Sequence, residues 1–372
     1  MKGLLKYLAP FAPDQSGAAA VFYDMDCITV VCDAGGCIGN YCGFDEPRWF
    51  GHKSPIFSAG LRDMDAILGR DDKMVAKLKL VSDKFNSKFA ALIGTPVPAV
   101  IGTDYRALKK MASKRCGIPV LGVECSGTKL YDEGESDAYL ELFRNFSGDG
   151  KTEDISKDLH ENERILGIIG ATPLELTDVD ADKKLRDHYL RRGYTKVFCY
   201  GMGDGFDEVC MAGKAAKNIV LSPAGIKAAE YLKETFGTPY EAEYMILGDD
   251  IKDEARKKLL AAKASKKAGA DDEGPIKILV IHQQVIADAM RTFIEDEAGE
   301  AEVSNATFFM MDRSLARPGD VHIESEEELR KLVFEGGFDI VAADDILRKA
   351  VRGYEGEWIS FPHFAVSGDI ER

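Results

Sequence analysis

Short apolar runs bounded by glycine or proline alternate along most of the chain with longer stretches in which apolar residues recur at helical spacing. Strands buried on both faces and joined by crossover helices produce this rhythm, so the pattern predicts an α/β protein built on parallel sheets. Three blocks share it. In the first, CITVVC and FAALIG read as buried strands, PAVIGTDYRALKKMASKRC as strand end, turn and helix, and IPVLGVECSG as a strand running into a Gly turn. The second runs from the strand RILGIIGATP through the helix DADKKLRDHYLRRG to the strand KVFCYG, then to NIVLSPAG and the helix IKAAEYLKETFG. The third opens with KILVIHQQV and the helix IADAMRTFIEDEAG, and continues with FDIVAAD and WISFPHFAV as later strands.

Between the second and third blocks, IKDEARKKLLAAKASKKAGADDEGP has no β-branched run and reads as a helix ending in a flexible linker. Its lysines are interleaved with acidic residues, which describes a solvated helix face better than a phosphate site. The first boundary falls within NFSGDGKTEDISKDLHENE. The expected domains are residues 1–155, 156–252 and 275–372, with 253–274 as linker.

Charge narrows the function classes. With 48 Lys and Arg against 63 Asp and Glu, the net charge of −15 repels nucleic acid and anionic membrane surfaces, and neither is an expected partner. The apolar stretch in MKGLLKYLAPFAPD is too short for a signal core, and no run approaches the roughly 20 apolar residues of a membrane span. A cytoplasmic location is expected. A disulfide framework is not, because a chain of 372 residues buries its own core without staples.

Four of the eight cysteines, Cys27, Cys32, Cys37 and Cys42, crowd into DCITVVCDAGGCIGNYC, the last three spaced C-x4-C-x4-C among Gly35, Gly36, Gly39 and Gly43. Glycine lets a backbone approach an inorganic cluster and aim its amides at bridging sulfides, and thiolates are the usual iron–sulfur ligands. The spacing matches neither zinc ribbons nor ferredoxin runs. Cys27, and less readily Cys32, can also be read as small buried strand residues. Cys125 follows the strand VLGVE as Cys37 follows CITVVC, so both belong at carboxyl ends of parallel strands, where open α/β sheets bind ligands. Cys116, Cys199 and Cys210 read as core. His282 and His363 also lie at strand ends, without metal spacing. The GMGDG segment, Gly201 to Gly205, is not a full dinucleotide loop, and no Walker A segment occurs.

In this order the motifs resemble the nitrogenase component 1 oxidoreductase family. VVCDAGGC is similar to that family's strand and H-G-P-x-G-C turn, with Cys37 on the cluster-ligand cysteine and Cys32 where histidine is usual. FSAGLRDMDAILGRDDKMVAKL, LIGTPVPAVIGTDY and VECSGTKLYDEG resemble the segments that follow, and ILGIIGATPLEL, NIVLSPAGIKAAEYLKETFGTPY and FPHFAVSG resemble the later domains. The chain departs from the pattern at Thr95–Pro96, where the T-C-P turn would supply a ligand, and at Ser222, where the active-site-cofactor cysteine would stand. The family's earliest ligand cysteine has no counterpart.

The resemblance implies three Rossmann-like parallel-sheet domains around a central crevice. It further implies an oxygen-sensitive iron–sulfur cluster, 4Fe–4S or larger, for which Cys37 is the one familiar ligand; Cys32, Cys42 and Cys125, extra thiols expected near the same place, complete a rearranged ligand set with Gly36 beside it. No iron–molybdenum cofactor is expected. His363, Ser222 and the Gly201 to Gly205 loop are expected to line the substrate crevice. The implied partners are an identical or related subunit forming a dimer, and an ATP-dependent iron-protein reductase that supplies low-potential electrons. A non-catalytic scaffold or carrier for metallocluster assembly is the alternative.

Overall fold

The computed structural model describes residues 5–148, 164–268 and 274–369. Most of the first boundary segment and residues 269–273, near the end of the expected linker, lie outside the described residues. The chain divides into two compact units, one of Ala12–Val220 with Ala224–Glu241, the other of Leu221–Pro223 with Ala242–Asp369 and the N-terminal segment up to Phe11.

The first unit holds two sheets. Helix α1 (Asp14–Val21) leads into β1 (Cys27–Val31), followed by the short α2 (Gly36–Asn40), β2 (Ile56–Ser58), α3 (Asp63–Leu68), α4 (Asp71–Ser82) and β3 (Phe89–Ile93). Then come α5 (Pro96–Ile101), α6 (Tyr105–Cys116), β4 (Val120–Val123) and α7 (Tyr131–Phe146). The strands run parallel in the order β2-β1-β3-β4. β1 and β3 are buried along their whole length, which is why both read as continuous apolar runs. Ile28, Val30 and Cys32 share one face of β1 and pack with Met74, Leu78, Tyr105 and Leu108 of α4 and α6. Local signals place α6: Asp104 caps it by accepting from the Ala107 amide, and Gly117 ends it in the left-handed conformation.

One expectation fails here. Pro98–Ile101 is not a strand end but the last part of α5, which starts with Pro96 at its first position and stops at Gly102, at φ +70°. Proline at a helix start gives up an amide that has no helical partner anyway.

The second sheet of this unit contains β5 (Ile165–Ile169), α8 (Ala181–Arg191), β6 (Lys196–Cys199), α9 (Phe206–Cys210), β7 (Lys217–Val220), α10 (Ile226–Phe236) and β8 (Tyr240–Ala242). Its order is β6-β5-β7-β8, with β5 parallel to both neighbours.

The second unit is built on α11 (Asp249–Ala268), β9 (Ile276–Ile281), α12 (Gln284–Ala298), β10 (Ala301–Thr307), β11 (Val321–His322), α13 (Glu326–Glu335), β12 (Ile340–Ala343), β13 (Glu357–Ser360) and α14 (Phe364–Ser367). Its five strands are parallel in the order β11-β10-β9-β12-β13. The expected strand through Val366 stops at Ser360: Pro362 cannot donate to a ladder, and the chain turns into α14. The chain is thus an α/β protein of several parallel sheets with Rossmann-like connections. No described helix is long and apolar enough to cross a membrane.

Candidate functional site

In an open parallel sheet, ligands bind at carboxyl ends of strands where the strand order reverses. In the first sheet that point lies between β1 and β3, so the segments following Val31 and Ile93 define it. The cysteine turn follows β1, and Gly94 and Thr95 follow β3. The Thr95 hydroxyl donates to the Cys32 carbonyl at 2.8 Å. Asp33, 1% exposed, shapes the turn by accepting from the Ile38 amide at 3.0 Å and from the Ser58 hydroxyl at 2.5 Å. Gly35 opens α2 at φ +114°, a conformation that favours glycine, and a Cβ at Gly36 would meet nothing within 4 Å.

The four candidate thiols differ in surroundings. Cys37 is half-buried in α2, with its pKa raised by desolvation and then by the neighbouring Asp33 carboxylate. Cys42, also half-buried, sits in the π turn Tyr41–Asp45, where burial, then Glu46, pushes its thiol up to about 11. Cys32 lies in the apolar core, its sulfur 3.7 Å from that of Met74, and burial pushes it up to about 12. Cys125 is buried after β4 with its thiol raised well above the ordinary value, mainly by desolvation. Gly94 lets the Cys125 backbone approach the end of β3, since a Cβ there would stand 2.5 Å from the Cys125 carbonyl oxygen. Among the described residues, no three His, Cys, Asp or Glu side chains gather in a group that could hold a metal ion.

Acidic and basic side chains absent from the sequence reading hold this region together. Asp14 accepts from the Ser126 and Gly127 amides at 2.8 and 2.7 Å and so forms the turn after Cys125. Asp45 accepts from Ser16 and Asn40 at 2.6 and 2.9 Å, tying the π turn to α1. The buried Arg48 joins Glu46 to Asp24 and to the Gly201 carbonyl. The Gly201 to Gly205 loop is itself tightly packed: a Cβ on Gly203 would lie 2.3 Å from Asp182, and the Asp204 carboxylate is taken by Arg186 and the Cys199 amide.

A family model described as Nitrogenase component 1 type Oxidoreductase matches residues 15–261. The chain belongs to that family. It is 28% identical over 186 residues to the nitrogenase iron-molybdenum cofactor biosynthesis protein NifE of Clostridium pasteurianum, a match covering 50% of this chain and 38% of that protein. The solved structures Nitrogenase Cp1 at pH 6.5 and Nitrogenase Cp1 at pH 5 share its fold with a TM-score of 0.66 each. They are 12% and 14% identical, over 97% and 98% of this chain and 87% and 85% of theirs.

In this member of the component 1 family, the corresponding point of the third sheet lies between β9 and β12. His282 follows β9, Asp344 follows β12, and His363 follows β13. The two imidazoles stack at 4.2 Å between ring centroids, with Phe361 and Phe309 against them. His282 Nδ1 accepts from the Gln283 amide at 2.9 Å, which leaves Nε2–H to donate to the Pro362 carbonyl at 3.2 Å. Burial lowers the His282 pKa to about 4, so the ring is neutral at pH 7. The cavity left beside these rings is about 10 Å³, too small for a substrate. Ser222 is buried.

A buried carboxyl on α7 sets a pH dependence. Glu135 is fully enclosed and accepts from the Thr172 hydroxyl through one oxygen, while the other has no hydrogen-bond partner. Desolvation, then the charge of Glu175, holds its pKa well above the ordinary glutamate value. A carboxyl raised in the folded state contributes fully below its unfolded pKa, and that contribution is lost as pH rises through the folded pKa. Urea unfolding of wild type is therefore expected to show stability falling with rising pH, by up to about 1.4 kcal/mol per pH unit from this group. Glu135→Gln is expected to flatten the slope and be the more stable form at alkaline pH; identical slopes refute the assignment.

Proposed function

We propose that the chain is the cluster-holding subunit of a nitrogenase-like reductase. In this reading Cys37 and Cys42 offer thiolates to an iron–sulfur cluster shared with a related subunit, and an ATP-dependent iron-protein partner supplies the electrons. The observation that carries it is the surface around the turn. Phe44 and Phe50, 74% and 80% exposed, follow Cys42 in sequence, while Ile67 and Leu68 on α3 and Val100 on the touching α5 are also exposed. Exposed apolar side chains close in sequence to a half-buried thiol suit a face covered by another protein. A stable interface of this kind buries more than about 1,200 Å² in total.

The donor set suits a shared cluster: soft thiols on a glycine-bearing turn, with too few ligands gathered among the described residues to complete a site alone. When bound, the cluster would supply low-potential electron transfer. Asp33 holds the turn in shape, Thr95 ties its start to the end of β3 through the Cys32 carbonyl, and the open face over Gly36 admits an inorganic group against the backbone. The thiols must lose their protons to ligate, so loading is favoured by rising pH. Cys32 and Cys125 remain candidate ligands that the fold encloses and would have to be drawn out of apolar surroundings.

The likeness to a protein named for cofactor biosynthesis favours a second reading, a scaffold that holds a cluster and passes it on. Because the match spans 38% of that relative, its whole activity is not carried over. Anaerobic reconstitution with iron and sulfide, followed by electron paramagnetic resonance with and without dithionite, tests the common element. Cys37→Ala is expected to lose most of the iron; wild-type iron content and visible absorption in that variant would show the assignment to be wrong. Turnover with reduced iron-protein and ATP marks a reductase, whereas release of the cluster to an acceptor without turnover marks a scaffold.

A further inference from the structure

In the second unit, between one side of α12 and the segment leading from β8 into α11, lies a half-enclosed cavity of about 320 Å³. It is remote in sequence from the cysteine turn and has no part in the cluster reading. Leu247 and Val285 are its buried apolar lining, and the half-buried Phe293 contributes an aromatic wall. A volume near the lower end of small-ligand pockets, with an apolar lining and a few polar groups, describes a site for a molecule of about one ring.

Charge selects the ligand class. Among the described residues, Glu243, Asp288, Asp296 and Lys252 are the charged groups lining the cavity, and the Arg256 guanidinium lies 5.2 Å from the centroid of the Phe293 ring. Asp288 faces Arg291 and Arg317 at 3.3 and 3.7 Å, and Lys252 lies 3.5 Å from Asp249. Asp296 stands exposed on the cavity wall and presents its carboxylate to whatever enters. We propose that this cavity binds a small organic cation with an apolar body, of the class of primary arylalkylamines: the ring fills the apolar lining and the ammonium meets the carboxylates.

The test is calorimetric titration of the full chain with 2-phenylethylamine, beside 3-phenylpropanoate as the matching anion and 2-phenylethanol as the neutral analogue. Saturable one-to-one binding of the amine is expected, at least about tenfold tighter than the anion. Asp296→Asn should weaken the amine by roughly three- to fivefold, as befits a rim charge, and leave the alcohol unchanged. Ala289→Trp on the cavity wall should abolish binding, and Thr292→Trp, on an exposed position of the same wall, should do so if the first variant folds poorly. Binding of the anion as tight as the amine, retention of amine binding in a folded tryptophan variant, or no saturable binding by about 10 mM would each overturn the proposal.

Discussion

Gly134→Ala is expected to cost about 3 kcal/mol or more of folding stability, seen as a lowered urea midpoint or as loss of soluble protein. Helices α1 and α7 cross with their backbones touching: a Cβ on Gly134 would stand 1.8 Å from the Asp14 carbonyl oxygen, and one on Gly17 would stand 1.9 Å from that of Tyr131. Real Cβ contacts do not come under 3.0 Å, and the atoms met are backbone, which cannot rotate away. Every residue of α1 is buried, so the helix has no free side toward which to move. Separation would also pull the Asp14 carboxylate off the Ser126 and Gly127 amides and disturb the turn after Cys125. A loss below about 1 kcal/mol would show that the two helices do not pack as described.

Arg48→Met is the second large effect, at about 3–5 kcal/mol. The guanidinium is buried and all five of its N–H donors are used: Nε and Nη2 to the two Glu46 oxygens at 2.8 and 2.7 Å, Nη2 also to the Ala20 carbonyl at 2.9 Å, and Nη1 to Asp24 and the Gly201 carbonyl at 2.9 and 2.8 Å. Removing it leaves the Glu46 carboxylate, 1% exposed, without its counter-charge. Arg48→Lys is expected to recover only part of the loss, because an ammonium has three donors and no fork. Adding Glu46→Gln to Arg48→Met should restore stability, since the penalty lies in the uncompensated charge. Equal unfolding free energies for Arg48→Met and wild type would refute the account. Because Arg48 ties the segment after Cys42 to α1 and to the loop after β6, the same variant should also lower iron content if the cluster reading holds.

Much of the fold was legible as pattern. CITVVC, FAALIG, ILGII and KILVI are apolar enough to be strands only if both faces are covered, and they are the central strands of their sheets. The helices Tyr105–Cys116 and Ala181–Arg191 carry amphipathic spacing, and the first also has Asp104 and Gly117 at its ends. Less was legible where residue type and environment disagree. β10 reads AEVSNAT, too polar to announce a strand, yet it lies next to the central β9. α1 reads DQSGAAAV and has no apolar stripe, because small residues bury it by letting backbones meet. α7 buries Asp132, Glu135 and Ser136, which a solvent-facing reading would put outside.

By itself the sequence determined the α/β class, the family, and the placing of Cys37 and Cys125 after strands. These follow from alternation, Gly and Pro positions and motif order, all of which are local. Only the tertiary structure decided which thiols face outward, since a strand covered on both sides hides which face Cys32 takes, and that face is the core against Met74 and Tyr105. It also decided that His282 and His363 stack and nearly close the end of the third sheet, and that Asp14, Asp33 and Arg48 hold the turns around the cysteines. Apart from the Asp33–Ile38 and Arg48–Glu46 contacts, those roles rest on partners far away in the chain, and long-range pairing leaves no periodic signature for a sequence to carry.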